Sequence, residues 1–350
     1  MSPTLPAAHD THAPPTRLDG IRRVVITDTR HVELHEEPLT DPGPGEALVR
    51  HDATLFSAGT ELSVYRGTNP LLRDPSSRWM KYPFRPGYAA VGRVVRVGEG
   101  EHPFRVGQGL IFDGAHASTS VLNAQRLYAE VPEPAAAHGG LPVEGYLMAR
   151  MAQIAATALL QTPPPARRVL VVGAGVVGLL AAQLYRHRLA ADVTVLDRLA
   201  SRIELAQAMG IDGRHVRADE PWPACTLAPD IVVEATGVPA LVDQAMSAVK
   251  PRGTVVLLGA PAGSHEIDLR GLFASGRRIV GAHETLPDRA AVEGEPTRRE
   301  LLQQMVSLIA EGQLNVLPLL SEALPASDAA EAYRRLDEQP HRQLTLALSW

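Results

Sequence analysis

Cysteine is almost absent from this 350-residue chain: Cys225 is the only one. An internal disulfide and any metal site built from several thiolates are thereby excluded, and the usage suits a reducing compartment. No run of about 18 apolar residues occurs that could form a membrane-spanning helix. There is no excess of positive charge either; the formal net charge is -5, which argues against nucleic acid as the main partner. Residues 1–19 lack the apolar run of a secretory signal and are rich in Pro, Ala and Thr, so they are expected to be a disordered leader. Internal repeats are absent, as is low complexity beyond those residues. The expectation is a cytoplasmic protein with no membrane and no nucleic-acid partner.

What is there is the composition of an ordinary globular protein, 45% hydrophobic and 21% charged. Its length predicts two domains. Residues 20–135 read as β-rich. Short apolar runs at Arg23–Ile26, Ala47–Arg50, Ala90–Val97 and Gly109–Phe112 are separated by turns such as Asp41-Pro-Gly-Pro-Gly45. From Gly145 to Leu160 the pattern becomes helical, and Pro163-Pro-Pro165 stops it. From Arg168 strands and helices alternate. The strands are Val169–Val172, Val193–Leu196, Ile231–Val233, Val255–Leu258 and Ile279–Val280, with helices such as Val177–Arg188 and Ser201–Met209 between them. Strands apolar on both faces, joined by helices, predict a parallel sheet covered on both sides. Two more helices, Arg298–Glu311 and Ser327–Gln339, and an alternating strand Gln343–Ser349 close the chain.

The strand ending at Val172 runs into Gly173-Ala-Gly-Val-Val-Gly178, which opens a helix. A lone GxGxxG is weak evidence, but strand, turn and helix are the context it requires. Gly173 permits the tight turn, Gly175 lets the backbone approach a pyrophosphate, and Gly178 lets helix and strand pack closely. Val176 and Val177 present the helix N-terminus to the phosphates. Asp197, at the end of the second strand, is placed to hold the adenosine ribose hydroxyls, and its charge would repel a 2′-phosphate. NAD(H) is therefore favoured over NADP(H), although Arg198 or Arg202 could instead receive a phosphate. Two further strand ends, Glu234-Ala-Thr-Gly237 and Leu258-Gly-Ala-Pro261, supply Thr236, Gly259 and Ala260 along the edge where a cofactor lies in open parallel sheets.

Together with Glu46-Ala-Leu-Val-Arg50, Gly59-Thr60-Glu61, Pro86-Gly-Tyr-Ala-Ala-Val-Gly92 and Lys250-Pro-Arg-Gly-Thr-Val-Val-Leu-Leu-Gly259, these motifs make the chain similar to the medium-chain dehydrogenase/reductase family. The resemblance covers nearly everything after residue 20. It implies an α/β protein with a GroES-like β-barrel catalytic domain (20–157), a Rossmann doubly wound domain (158–285) and a C-terminal segment (286–350) returning to the first. It also implies a homodimer and a cleft between the domains. Leu55-Phe-Ser-Ala-Gly-Thr-Glu61 and Tyr82-Pro-Phe-Arg-Pro-Gly-Tyr88 resemble the branch containing bacteriochlorophyllide a dehydrogenase and dehydrogenases of sugar or secondary-metabolite pathways. Where the family's zinc branch has Cys-Gly-Thr-Asp-x-His and Gly-His-Glu, this chain has Ala58-Gly-Thr-Glu-Leu-Ser63 and Gly87-Tyr-Ala89. The third ligand position falls near Arg150 or Gln153, and the four-cysteine structural loop is missing. A catalytic zinc needs three protein donors, so the expectation is no zinc.

Without a metal, a carbonyl oxygen must be polarised and protonated by side chains. Thr60 resembles the family's proton-relaying hydroxyl. Tyr88 is expected to point into the cleft and donate a proton, Glu61 to orient that relay, and His116 to titrate near neutral pH. Each also has a bland reading: Tyr88 as filler of the lost metal site, Glu61 as a structural carboxylate paired to an arginine, His116 as a surface loop residue. Thr157 packs either beneath a nicotinamide or in the core. Arg66, Arg78 and Lys81, within a stretch also holding Arg73 and Arg85, border the entrance implied by the resemblance and suit an anionic small-molecule substrate; a solvated loop is the alternative. The functions carried forward are an alcohol/ketone oxidoreductase, a zinc-free ene-reductase or quinone reductase, and a non-catalytic NAD(H)-binding sensor.

Overall fold

The computed structural model describes residues 20–132, 140–164, 166–217, 220, 222 and 227–350. The expected leader at 1–19 and Cys225 lie outside the described residues. Seven strands precede the long helix: β1 (Ile21–Asp28), β2 (His31–Glu37), β3 (Glu46–Leu55), β4 (Ala90–Val97), β5 (Gly109–Phe112), β6 (Thr119–Asn123) and β7 (Tyr128–Glu130). Six more follow it: β8 (Arg168–Val172), β9 (Asp192–Asp197), β10 (Asp212–His215), β11 (Ile231–Glu234), β12 (Thr254–Leu257) and β13 (Arg278–Gly281). Two close the chain, β14 (Glu322–Pro325) and β15 (Leu346–Ser349).

The second group forms one parallel sheet in the order β10-β9-β8-β11-β12-β13. Its inner strands β8, β9, β11 and β12 are largely buried on both faces, whereas the edge strands β10 and β13 are not. Val169 and Val171 of β8 enter one core with Val193, Val195, Ile231 and Val233, while Leu170 and Val172 enter a second with Leu196, Val232 and Val255. A period of two thus sorts one strand's side chains into two cores.

The first group is antiparallel around β3, which pairs with β4, β6 and β15. The C-terminal strands therefore complete the sheet of the N-terminal half: β14 lies parallel to β15, and β15 lies antiparallel to β3. β15 is shorter than the Gln343–Ser349 alternation predicts. Gln343 N–H closes a turn onto the Gln339 carbonyl, Leu344 N–H donates to Ser321 Oγ, and Thr345 Oγ1 donates to the Phe56 carbonyl, so ladder pairing begins only at Leu346. The helical run from Gly145 likewise starts as a 3-10 turn (Val143–Leu147) before the α-helix Met148–Leu160.

That helix bridges the two halves. Its Met151, Ala155 and Ala158 share one core with strands β8 and β9 and with Leu302, Met305 and Ile309 of the helix Arg298–Ala310. The latter is fixed at its start by a capping box between Thr297 and Glu300. The last helix, Ala329–Glu338, buries Tyr333 and Leu336 with Val24, Ile26 and Phe56. Among the described residues, no helix is long and apolar enough to cross a membrane.

Candidate active site

At the carboxyl edge of the parallel sheet, the turn after β8 has Gly173 at φ 102°, a backbone conformation open mainly to glycine. Gly178 sits against it so closely that a Cβ there would lie 1.9 Å from the Gly173 carbonyl oxygen. Gly175 is different. It caps the helix Val176–Leu189 in extended conformation, and a Cβ there would meet nothing within 4 Å. The protein's own packing demands the outer two glycines and leaves the middle one facing open space. The first-turn amides at Val176, Val177 and Gly178 have no intrahelical acceptors. This cradle fits a pyrophosphate.

Asp197 ends β9, where its Oδ2 accepts from Ala174 N–H and its Oδ1 from Leu199 N–H, both at 2.8 Å. The carboxylate is tied to the glycine turn itself, with lone pairs remaining for a ribose. Arg202 Nη1 stands 3.8 Å from Asp197 Oδ2, and its buried Nε has no partner; Arg198 is exposed. The next two strand ends are interlocked. Glu234 accepts from the amides of Thr236 and Gly237 and from the Thr236 hydroxyl. A Cβ on Gly237 would lie 2.2 Å from the Ala260 carbonyl oxygen, and one on Gly259 would lie 2.2 Å from Gly237 N. Thr157 donates toward the carbonyls of Ile154 and Ala282, so its hydroxyl tacks the bridging helix to the end of β13.

On the other side lies a buried polar network. Glu61 and His116 are 1% and 0% exposed. Glu61 Oε2 accepts from Tyr333 OH (2.5 Å) and pairs with His116 Nε2 (3.0 Å), and its Oε1 accepts from Ser57 N–H (2.8 Å). His116 Nδ1 pairs with Thr54 Oγ1 at 2.7 Å, and the Trp350 indole donates to that same oxygen at 2.9 Å. Trp350 donates to Thr54 Oγ1, and Glu61 gathers three partners: Ser57 N–H, the Tyr333 hydroxyl and His116 Nε2. Its partners are not an arginine, and His116 is not a surface loop residue; the network orients its neighbours.

Chief among those neighbours is Ser57. It occupies the N-cap of the helix Ala58–Tyr65, yet its hydroxyl makes no cap hydrogen bond; it is bonded to the Tyr88 hydroxyl instead. Burial pushes the Tyr88 phenol up, opposed by the Ser57 and Thr60 hydroxyls and the Arg150 guanidinium, while Glu61 adds to the rise. Tyr88 therefore carries its proton at neutral pH. The Arg150 guanidinium carbon lies 5.4 Å from the centroid of the Tyr88 ring. Arg150 is only 2% exposed; it donates to Gln153 and lies 3.1 Å from Glu284, which also binds Arg298 at 2.5 Å.

Thr60, Glu61, Tyr88 and His116 thus form one cluster, joined by Ser57, which sequence reasoning did not single out, and by Arg150, which it met only at a position aligned with a zinc ligand. For Ser57 the available signal was its place directly before Ala58-Gly-Thr-Glu61. For Arg150 it was a charge inside an apolar helix. Of the expected entrance cations, Arg66 is held by Asp337 of the last helix, whereas Arg78 and Lys81 are exposed, flanking Trp79. Among the described residues no group of three His, Cys, Asp or Glu stands together to hold a metal. At the positions the resemblance equates with zinc ligands, Ala58 has no donor, Tyr88 is bonded to Ser57, and of Arg150 and Gln153 the first is a cation and the second accepts a hydrogen bond from it. That set does not fit zinc.

A parallel sheet with a glycine-turn cradle at its carboxyl edge, set against a β-sheet domain carrying a hydroxyl cluster, is the layout of a dehydrogenase. Comparisons with known proteins agree. Residues 176–305 match the family described as zinc-binding dehydrogenase. The chain is 28% identical over 335 residues to 2-desacetyl-2-hydroxyethyl bacteriochlorophyllide A dehydrogenase of Rhodobacter capsulatus, covering 93% of this chain and 97% of that protein. It is 26% identical over 281 residues to L-threonine 3-dehydrogenase of Pyrococcus abyssi, covering 69% and 76%. An Escherichia coli alcohol dehydrogenase, RspB, solved with NADH, superposes with a TM-score of 0.79 at 18% identity, covering 95% of this chain and all of that one. A Sinorhizobium meliloti structure bound to NADP gives 0.76 at 18% identity, covering 95% and 100%. Residues 176–305 thus carry the domain described as zinc-binding dehydrogenase, and the chain as a whole is similar to dehydrogenases of the medium-chain type and is an alcohol dehydrogenase-like oxidoreductase.

Proposed function

We propose that this protein is a zinc-independent, NAD(H)-dependent oxidoreductase that interconverts an alcohol and a ketone on a polar, anionic metabolite. The observation that carries the reading is the Tyr88–Ser57 hydroxyl pair, set beside the buried Arg150 where zinc-dependent relatives have ligands. Gly173–Gly178 would hold the pyrophosphate and Asp197 the adenosine ribose of a nicotinamide dinucleotide, which would supply or accept the hydride when bound. Tyr88 gives its phenolic proton to the substrate oxygen during reduction and takes it back during oxidation. Ser57 and Thr60 pass that proton onward, and Glu61 and His116 hold the Ser57 backbone in place. Residues 20–157 with 286–350 form the catalytic half, 158–285 the cofactor half, and the substrate enters between them past Arg78 and Lys81. The molecule works as a cytoplasmic homodimer. Support for the dimer is the edge strand β13 and the helix Leu269–Ser275 that precedes it in the chain, where Leu269 is 71% and Phe273 92% exposed.

The test is NADH oxidation by chelator-treated, metal-assayed protein against a panel of hydroxy-acid and sugar-derived ketones and a panel of enones. Turnover of a ketone at less than a tenth of an equivalent of metal supports the reading. Activity that appears only on adding zinc removes the zinc-independent step. Turnover of enones alone assigns the protein to the ene-reductases, and NADH binding without turnover of either panel makes it a sensor.

A further inference from the structure

Burying a guanidinium is costly unless its charge and donors are matched. The helix Met148–Leu160 nevertheless places Arg150 among methionines and alanines, and it is the largest fully buried side chain of the described protein. Its matching is incomplete. Nη2 faces Glu284 and Nη1 donates to Gln153, which lies one turn on at i+3 on the same helix face, but Nε and the Gln153 Nε2 have no partner. Glu284 is itself shared with Arg298. An arginine buried on these terms, with its guanidinium carbon over the Tyr88 ring, has a use beyond packing.

We infer that Arg150 is a positioning residue whose fixed positive charge tunes the ionisation of Tyr88, supplying from a side chain the cationic character that a metal supplies in zinc-dependent relatives. The inference rests on Tyr88 being the proton donor of the reading above. The groups facing the phenol are few. The helix Ala58–Tyr65 brings Glu61, which disfavours the phenolate. Ser57 and Thr60 bring hydroxyls that favour it, and the bridging helix brings Arg150, which also favours it. Behind Arg150, Glu284 dilutes its charge from the loop after β13. Arg150 is thus the cation on one side of the balance, Glu61 and Glu284 the anions on the other.

Charge tuning makes a prediction of opposite signs that a packing role does not. Removing the cation with Arg150→Met raises the pH at which Tyr88 ionises. Removing its counter-ion with Glu284→Gln lowers it. Arg150→Lys keeps the charge and returns the midpoint most of the way to wild type. The readout is 19F NMR of protein labelled with 3,5-difluorotyrosine, whose acidity brings the titration into a range where the fold survives. The Tyr88 signal is assigned by its loss in Tyr88→Phe. The expected shift is one to two pH units upward in Arg150→Met, roughly a tenfold to hundredfold change in ionisation constant, and a smaller downward shift in Glu284→Gln. The same directions should appear in the pH dependence of ketone reduction. Midpoints unchanged in both variants, or moved the same way, overturn the inference. Because the NMR titration needs no substrate, it can fail while ketone turnover stands, and it can succeed if the ketone panel gives nothing.

Discussion

Single side chains in this protein are diverted from their local preference toward the polar cluster. Serine at an N-cap ordinarily accepts from the first helical amides, worth about 1 kcal/mol; Ser57 forgoes that bond and holds Tyr88 instead. Replacing Tyr88 with phenylalanine removes the proton donor while leaving the ring that Arg150 faces. It should lower kcat for ketone reduction about 10²- to 10⁴-fold with little change in NADH affinity; a kcat within threefold of wild type would place the donor elsewhere. A second residue bears on pH. His51 is 1% exposed, its Nε2 bonded to Ser120 and its Nδ1 unpartnered. Burial, with smaller contributions from Arg23 and His116, pushes its pKa down to about 3. The unfolded chain takes up a proton at this side chain below about pH 6.5 and the folded one does not. Stability is therefore full above that pH and declines as pH falls toward 3, by a few kcal/mol. Glutamine at 51 keeps a donor for Ser120 and cannot titrate, so its denaturation free energy should fall less steeply between pH 6.5 and 4. An identical slope would contradict this account.

Among the elements, the tightest constraint is the turn from β8 into its helix. Gly178→Ala would place a carbon against the Gly173 carbonyl, so helix and strand must part; NADH affinity should fall at least tenfold. At Gly175, where an added carbon meets only open space, alanine should leave thermal stability near wild type yet weaken NADH. If Gly175→Ala binds NADH as wild type does, the open space is not where the cofactor lies. Five of the six strands of the parallel sheet were legible in the sequence; the edge strand β10, Asp-Gly-Arg-His with only Gly213 buried, carries no apolar run that would reveal it. β8, β9, β11, β12 and β13 stand within one residue of the apolar runs that predict them, because an apolar strand of such a sheet announces itself by composition alone. Asp197, too, could be placed from spacing. What could not be read was partnership. The Glu61 network draws on Thr54, His116, Tyr333 and Trp350, up to 296 residues apart in sequence, and no local pattern links them. Arg150 could be aligned with a ligand position, but not seen to face Tyr88. Arg66 looked like an entrance cation until the last helix brought Asp337 to it.

For the whole molecule, the order of the chain and the order of the architecture differ. β15 returns to pair with β3, and the helix Ala329–Glu338 delivers Tyr333 to Glu61. The Glu61 cluster is thus completed by C-terminal elements, while the parallel sheet is inserted between. The central claim is that the carboxyl edge of that sheet binds a nicotinamide dinucleotide through the Gly173–Gly178 turn and Asp197. Calorimetric titration of metal-assayed wild-type protein and Asp197→Ala with NADH and NADPH tests it most directly. The account predicts micromolar-range binding of NADH by the wild type, preferred over NADPH, with that preference lost in Asp197→Ala. Absence of binding heat for both dinucleotides at several temperatures would contradict it.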